Sequence, residues 1–118
     1  MKLNIIVNNQ VITATLNARQ ASRDFAALLP LDLQLEDYAG EEKIGMLPAQ
    51  LSSTDSPKGT PARKGDVMLY KPWGNLALFY KDHVYADGLI KLGQLDDPDA
   101  LPLPPSSYSA RFELNEQQ

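Results

Sequence analysis

Apolar and polar residues alternate along much of the chain, most clearly at its start. Leu3, Ile5 and Val7 interleave with Lys2, Asn4 and Asn8, a period of about two that predicts a strand with one buried face. Asn8-Asn9 marks a turn, because Asn tolerates left-handed backbone. Residues 11–16 predict a second strand, with Val11, Thr13 and Thr15 on one face and Ile12, Ala14 and Leu16 on the other. The two strands form a hairpin.

The period then changes. Ala21, Phe25 and Leu28 or Leu29 fall on one face of a helix over residues 18–29, which Pro30 stops. Asn17 is the expected N-cap, with Gln20 in the capping-box position. Leu31-Asp32-Leu33-Gln34-Leu35-Glu36 alternates strictly and is a strand, broken by Asp37-Tyr38-Ala39-Gly40. Residues 43–47 predict a short strand closed by Pro48, and residues 47–51 a single helical turn.

Four more strands complete the pattern. Gly65-Asp66 makes a tight entry into Val67-Met68-Leu69-Tyr70. Lys71-Pro72-Trp73-Gly74-Asn75 is a turn. Leu76-Ala77-Leu78-Phe79-Tyr80 is apolar on both faces, as a strand buried on both sides would be. Residues 89–95 form another strand. The last is carried by Tyr108, Ala110, Phe112 and Leu114, alternating with Ser109, Arg111 and Glu113. Residues 52–64 and 96–107 are rich in Pro, Ser and Asp and are expected as loops. The resulting class is mainly β: about eight short strands and one main α-helix, the pattern of a closed or nearly closed antiparallel barrel. Closure removes the exposed edges that invite aggregation.

Composition narrows the function. The 118 residues are 43% hydrophobic and 22% charged, which fits one globular domain over residues 1–118. With no cysteine and one histidine, His83, disulfide scaffolds, thiol nucleophiles and thiolate zinc sites are excluded. Net charge is −4, from 11 basic and 15 acidic residues, and no basic stripe suited to a phosphate backbone is visible. Nucleic acid is therefore not an expected partner. The apolar run after Lys2 is shorter than the roughly 7–15 residues of a secretory core. No stretch approaches the roughly 18 apolar residues of a membrane span. The expected location is cytoplasmic, without a membrane partner. There is no Walker loop and no G-x-G-x-x-G. Asp96-Asp97-Pro98-Asp99 lacks the alternating ligands, central Gly and distant Glu of a calcium loop. No cofactor or metal is expected.

Four stretches carry a resemblance. They are residues 37–48 (Asp-Tyr-Ala-Gly-Glu-Glu-Lys-Ile-Gly-Met-Leu-Pro), Gly65-Asp66-Val67, residues 72–80 (Pro-Trp-Gly-Asn-Leu-Ala-Leu-Phe-Tyr) and Leu89-Ile90-Lys91-Leu92-Gly93. Together the chain, from the first hairpin to Leu95, resembles the small bacterial cyclophilin-like domain proteins. The resemblance implies a closed cyclophilin-like β-barrel with a helix at one mouth, and a bacterial source. Most members have no assigned activity. The prolyl isomerases of the wider superfamily carry Phe-His-Arg, then a Phe and a Gln-Gly-Gly, and their arginine polarises the prolyl amide. Nothing between Gly40 and Gly65 reads Phe-His-Arg, and no Gln-Gly-Gly occurs. Arg63 is the only arginine in that stretch. No catalytic residue is carried over.

The remaining chemistry centres on Pro72-Trp73-Gly74-Asn75. Trp73 offers a large apolar surface and one N–H donor, Asn75 adds a donor and an acceptor, and Gly74 permits positive φ. Tyr70, Trp73, Asn75 and Tyr80 are the candidate ligand-binding residues; the opposing reading has Trp73 plugging the barrel mouth. Tyr38, Tyr70, Tyr80 and Tyr85 either line a groove or fill the core. His83 is expected in an exposed loop rather than as a general base. Glu41, Glu42 and Lys43 form a charge run whose neighbours point to opposite faces of a strand; the expected reading is a solvated face or a local ion pair, and the alternative is that Glu42 or Lys43 alone reaches a ligand.

The expected function is a non-catalytic module that binds a peptide or small molecule, as a monomer or weak homodimer. One alternative is a weak or divergent prolyl isomerase using Arg63 or Lys43 as electrophile. Another, by fold analogy, is a component of an amide-hydrolysing enzyme complex.

Overall fold

Asn8 and Asn9 both take positive φ, 49° and 68°, and this left-handed pair closes the first hairpin. It joins β1 (Lys2–Val7) to β2 (Gln10–Leu16) with Val7 opposite Gln10. The computed structural model describes residues 1–102 and 107–115. The remaining elements are α1 (Gln20–Ala27), β3 (Leu31–Tyr38), β4 (Glu42–Met46), β5 (Gly59–Ala62), β6 (Asp66–Tyr70), β7 (Asn75–Phe79), β8 (His83–Asp87), β9 (Leu89–Leu95) and β10 (Tyr108–Leu114).

Eight strands close an antiparallel barrel in the order β1-β10-β3-β4-β7-β6-β9-β2, with β2 returning to β1. Alternation sends Leu3 and Ile5 of β1, Leu35 of β3, Leu76 and Leu78 of β7 and Phe112 of β10 into one sealed interior. The helix covers this core. Phe25 is fully buried and meets Phe112 edge to face, with ring centroids 6.0 Å apart and planes at 80°.

The helix is shorter than its apolar period suggests, and its cap differs from the expected one. Arg19 is the N-cap residue and supplies no side-chain cap. Asp55, from a distant loop, accepts the Gln20 N–H at 3.0 and 3.1 Å through its two carboxylate oxygens. Asn17 Oδ1 instead accepts from the Arg19 N–H at 3.0 Å and the Ser22 hydroxyl at 2.7 Å. A long-range carboxylate thus displaces the local capping box. Residues 47–51 form no helical turn.

The main departure from the expected topology lies outside the barrel. Within the supposed loop over residues 52–64, Gly59–Ala62 forms β5, and the supposed loop around His83 is β8. These two strands pair only with each other, with a register shift between Thr60 and Ala62. Ala62 and Ala86 bring this ribbon onto the outward-facing Met68, Ala77, Phe79 and Leu89. The cluster explains why β7 is apolar on both faces. Leu76 and Leu78 face inward, while Ala77 and Phe79 face outward beneath the ribbon. Of the expected loop over 96–107, residues 103–106 lie outside the described residues.

Candidate functional site

The outer face of β4 and β7 continues beyond the ribbon's apolar cluster as a groove. Cross-strand pairing places Glu42 opposite both Phe79 and Tyr38, and Asn75 opposite both Met46 and Tyr70. Directly paired residues share a face, so Tyr38, Glu42, Tyr70, Asn75 and Phe79 all look outward. They line a cavity of about 300 Å³ with Trp73, Glu41, and His83 and Ala86 of the ribbon.

Trp73 is held at the rim by its turn. Gly74 takes φ +69°, and its N–H donates to the Tyr70 carbonyl at 2.9 Å. The left-handed glycine lets four residues, Lys71 to Gly74, return the chain from β6 to β7. The turn is also tied to the ribbon's end, where the Lys71 N–H donates to the Gly88 carbonyl at 2.8 Å. Gly88 has φ +84°, and a Cβ there would lie 2.7 Å from Pro72 Cδ, so only glycine permits this approach. The indole meets Tyr38 at 5.5 Å and Tyr70 at 5.3 Å, both at 86°. Trp73 remains 51% exposed and is therefore no plug for the barrel mouth. It stands on a ridge, with a second cavity of about 400 Å³ on its other side, lined by Leu47, Pro48 and Leu51 among others.

Asn75 forms part of the groove floor at 1% exposure. Its Nδ2 donates to the Leu76 carbonyl at 3.1 Å, but its buried Oδ1 has no hydrogen-bond partner among the described residues. An unsatisfied buried acceptor costs about 1–3 kcal/mol, so this oxygen calls for a donor.

The ionisable groups sit at the other end. His83 Nδ1 lies 3.4 Å from Glu41 Oε1, and the His83 ring is 5.9 Å from that of Phe79. Burial pushes the Glu42 carboxyl up to about 7; the His83 charge pulls it back, while Glu41 and Asp37 push it further up. His83 is thus a half-buried strand residue of the groove, not an exposed loop histidine.

The sequence candidates divide accordingly. Tyr70, Trp73 and Asn75 meet in the groove, while Tyr80 does not line it. The Tyr80 hydroxyl donates a short hydrogen bond to Asp37, which holds that carboxyl below its usual range, while burial and Asp37 push the Tyr80 phenol up to about 12. Lys43 is fully buried on the barrel side of β4. Its Nζ lies 3.6 Å from Asp37 Oδ1 and 5.4 Å from the centre of the Tyr108 ring. Arg63 is exposed just beyond β5 and does not line the groove, and Tyr85 stands 54% exposed on the ribbon. Neither proposed electrophile therefore faces the aromatic surface.

Among the described residues no group of three or more His, Asp or Glu is placed to hold a metal ion, and no helix is long and apolar enough to cross a membrane. No curated protein matches the chain. Among solved structures, the solution structure of a hypothetical protein from Archaeoglobus fulgidus is similar, with a TM-score of 0.66 and 16% identity over 98% of this chain and 95% of that one. At that identity the likeness speaks for the fold alone, and its archaeal source means that the fold is no mark of a bacterium. The model of the cyclophilin-like family matches residues 5–113, and the chain belongs to that family.

Proposed function

We propose that the protein is a non-catalytic binding module that takes a small molecule or a peptide segment in the outer groove between β4, β7 and the β5–β8 ribbon. The observation that carries this reading is Asn75 Oδ1, a buried acceptor without a partner among the described residues, on a side chain that lines the same groove as three aromatic rings. A ligand N–H would satisfy the oxygen, and the rings would cover the ligand's carbon frame. Among the described residues no serine or threonine lines the cavity, so none of them supplies an aliphatic hydroxyl nucleophile in support of the amide-hydrolysing alternative. Trp73 is the only tryptophan, and its emission reports on the groove directly. The test is a fluorescence titration with proline-containing peptides and small organic molecules, read in parallel by backbone amide shifts. Binding moves the Trp73 emission and the amides of Tyr38, Glu42 and Asn75. A flat response across the whole set overturns the reading.

One observation favours a second reading. A Glu42 carboxyl titrating at about 7 is partly protonated at neutral pH and can donate to a prolyl carbonyl, the task an arginine performs in the isomerases. A divergent isomerase of this kind accelerates a proline-peptide isomerisation assay, and Glu42→Gln slows it. A rate equal to the uncatalysed one rules it out.

A further inference from the structure

We propose that the groove selects a protonated organic amine, held between the Glu41 and Glu42 carboxylates and the rings of Tyr38, Tyr70 and Trp73, with an N–H turned to Asn75 Oδ1. This rests on the binding reading above and deepens it by naming the ligand class.

The lining decides the class. Its side-chain oxygens at Glu41, Glu42 and Asn75 are acceptors or carboxyls, its neutral donors are the Tyr38 and Tyr70 hydroxyls and the Trp73 N–H, and neither lysine nor arginine is among the described residues that line it. Such a wall favours a ligand rich in donors and repels an anion. The nearest cation along the chain, Lys43, leaves β4 on the opposite face and lies near Asp37 inside the barrel, so its ammonium does not occupy the groove. His83 is the one basic side chain among the described residues of the lining, and its Nδ1 lies 3.4 Å from Glu41 Oε1. Aromatic faces attract cations through their quadrupole, most strongly where water is excluded. The Asn75 oxygen is independent of the charges. It is buried, it has no partner, and an ammonium N–H is the donor that fits it. The oxygen is closed to solvent, so the surrounding side chains part to admit the ligand.

Charge linkage supports the same class. A cation beside Glu42 favours its ionised form, so binding releases a proton and tightens as pH rises from 6 to 8. The titratable groups that line the groove with Glu42 are Tyr38 of β3, Glu41 of the preceding turn, Tyr70 of β6 and His83 of β8, while Asp37 acts on it and Tyr80 feels its charge from outside the lining.

The experiment compares piperidinium with tetrahydropyran, a neutral ring of the same size, on the full chain, alongside the proline-containing peptides. Trp73 emission and the amide shifts of Glu42 and Asn75 are the readouts. Piperidinium is expected to bind at least about tenfold more tightly than tetrahydropyran, and to gain about tenfold between pH 6 and pH 8. Glu42→Gln loses that gain and flattens the pH dependence. Should its amide spectrum show loss of fold, Glu41→Gln serves in its place, with a smaller loss expected. Equal affinity for the two rings, an unchanged pH profile in folded Glu42→Gln, or undiminished piperidinium affinity in Glu41→Gln overturns the amine assignment while leaving groove binding intact. So does a response to a neutral peptide and to neither ring. Silence from every probe overturns both.

Discussion

Glu42 and Lys43 are neighbours on β4, yet their side chains end in opposite environments. Lys43 is fully buried within the barrel wall, 3.6 Å from Asp37, while Glu42 looks into the outer groove. One strand therefore carries a charge sealed in the barrel wall on one face and a groove-lining carboxyl on the other.

Glu42 makes stability depend on pH. Its folded value of about 7 lies above the reference value of 4.5. Between these values the folded chain holds more protons than the unfolded one. Stability thus falls as pH rises from about 4.5 to about 7 and levels beyond, by a few kcal/mol at most (~1–3). Glu42→Gln removes this slope and is the more stable form at pH 8. Thermal melts at pH 5, 6, 7 and 8 check it; parallel curves for the two proteins would count against the burial of Glu42.

Asp37 and Lys43 should be unequal in their deletion costs. Asp37→Asn removes the counter-charge of a fully buried ammonium and is expected to cost about 3 kcal/mol. Lys43→Met keeps most of the volume and leaves Asp37 bonded to Tyr80, so its cost is lower, about 1 kcal/mol. Asp37 titrates below its usual value. Its contribution is therefore present above its unfolded pKa and is lost as pH falls through the folded one. Denaturant unfolding at pH 7 ranks the two variants, and acid unfolding of Asp37→Asn shows a shallower loss than wild type.

Trp73 separates binding from folding. Its indole is half exposed and touches two tyrosines at the rim, so Trp73→Ala is expected to cost only about 1 kcal/mol of stability. On the proposed reading the same change removes the ring at the groove's rim that meets both tyrosines and abolishes ligand-induced amide shifts. Trp73→Phe keeps part of them. A stability loss matching that of a core deletion would show that the indole is structural.

Asp55 tests the long-range cap. Asp55→Ala leaves the Gln20 N–H without its acceptor and is expected to cost about 1 kcal/mol; Asn17→Ala also loses an acceptor, that of Ser22 and Arg19. If Asp55→Ala melts with wild type, the cap contributes nothing.

Much of the barrel is legible in the alternation of residues, because one sealed interior imposes a period of two on strands such as β1, β2, β3 and β10 whose other face is open to solvent. The ribbon is not. Gly59-Thr60-Pro61-Ala62 has a strand's geometry but a loop's composition, and His83–Asp87 buries little of either face. The signal for it was present elsewhere, in Ala77 and Phe79: an apolar outer face on β7 needs a cover. The site was legible in part for the same reason. Tyr70, Trp73 and Asn75 lie close in sequence around one turn and stay together in space. Tyr38, Glu42 and His83 come from three other segments, and only pairing register brings them to the same groove. Tyr80 looked equivalent to Tyr70, but lies just past the end of β7, where its hydroxyl reaches Asp37. The helix cap failed because Asp55 lies 35 residues from Gln20, beyond any local motif.

The two-stranded ribbon exchanges its ladder bonds only within itself, while the eight barrel strands form an unbroken ring. The cylinder consequently owes none of its hydrogen-bond circuit to the flap that walls the cleft. On the proposed reading, an exchange at His83 on that flap retunes what enters, and the drum beneath keeps every rung.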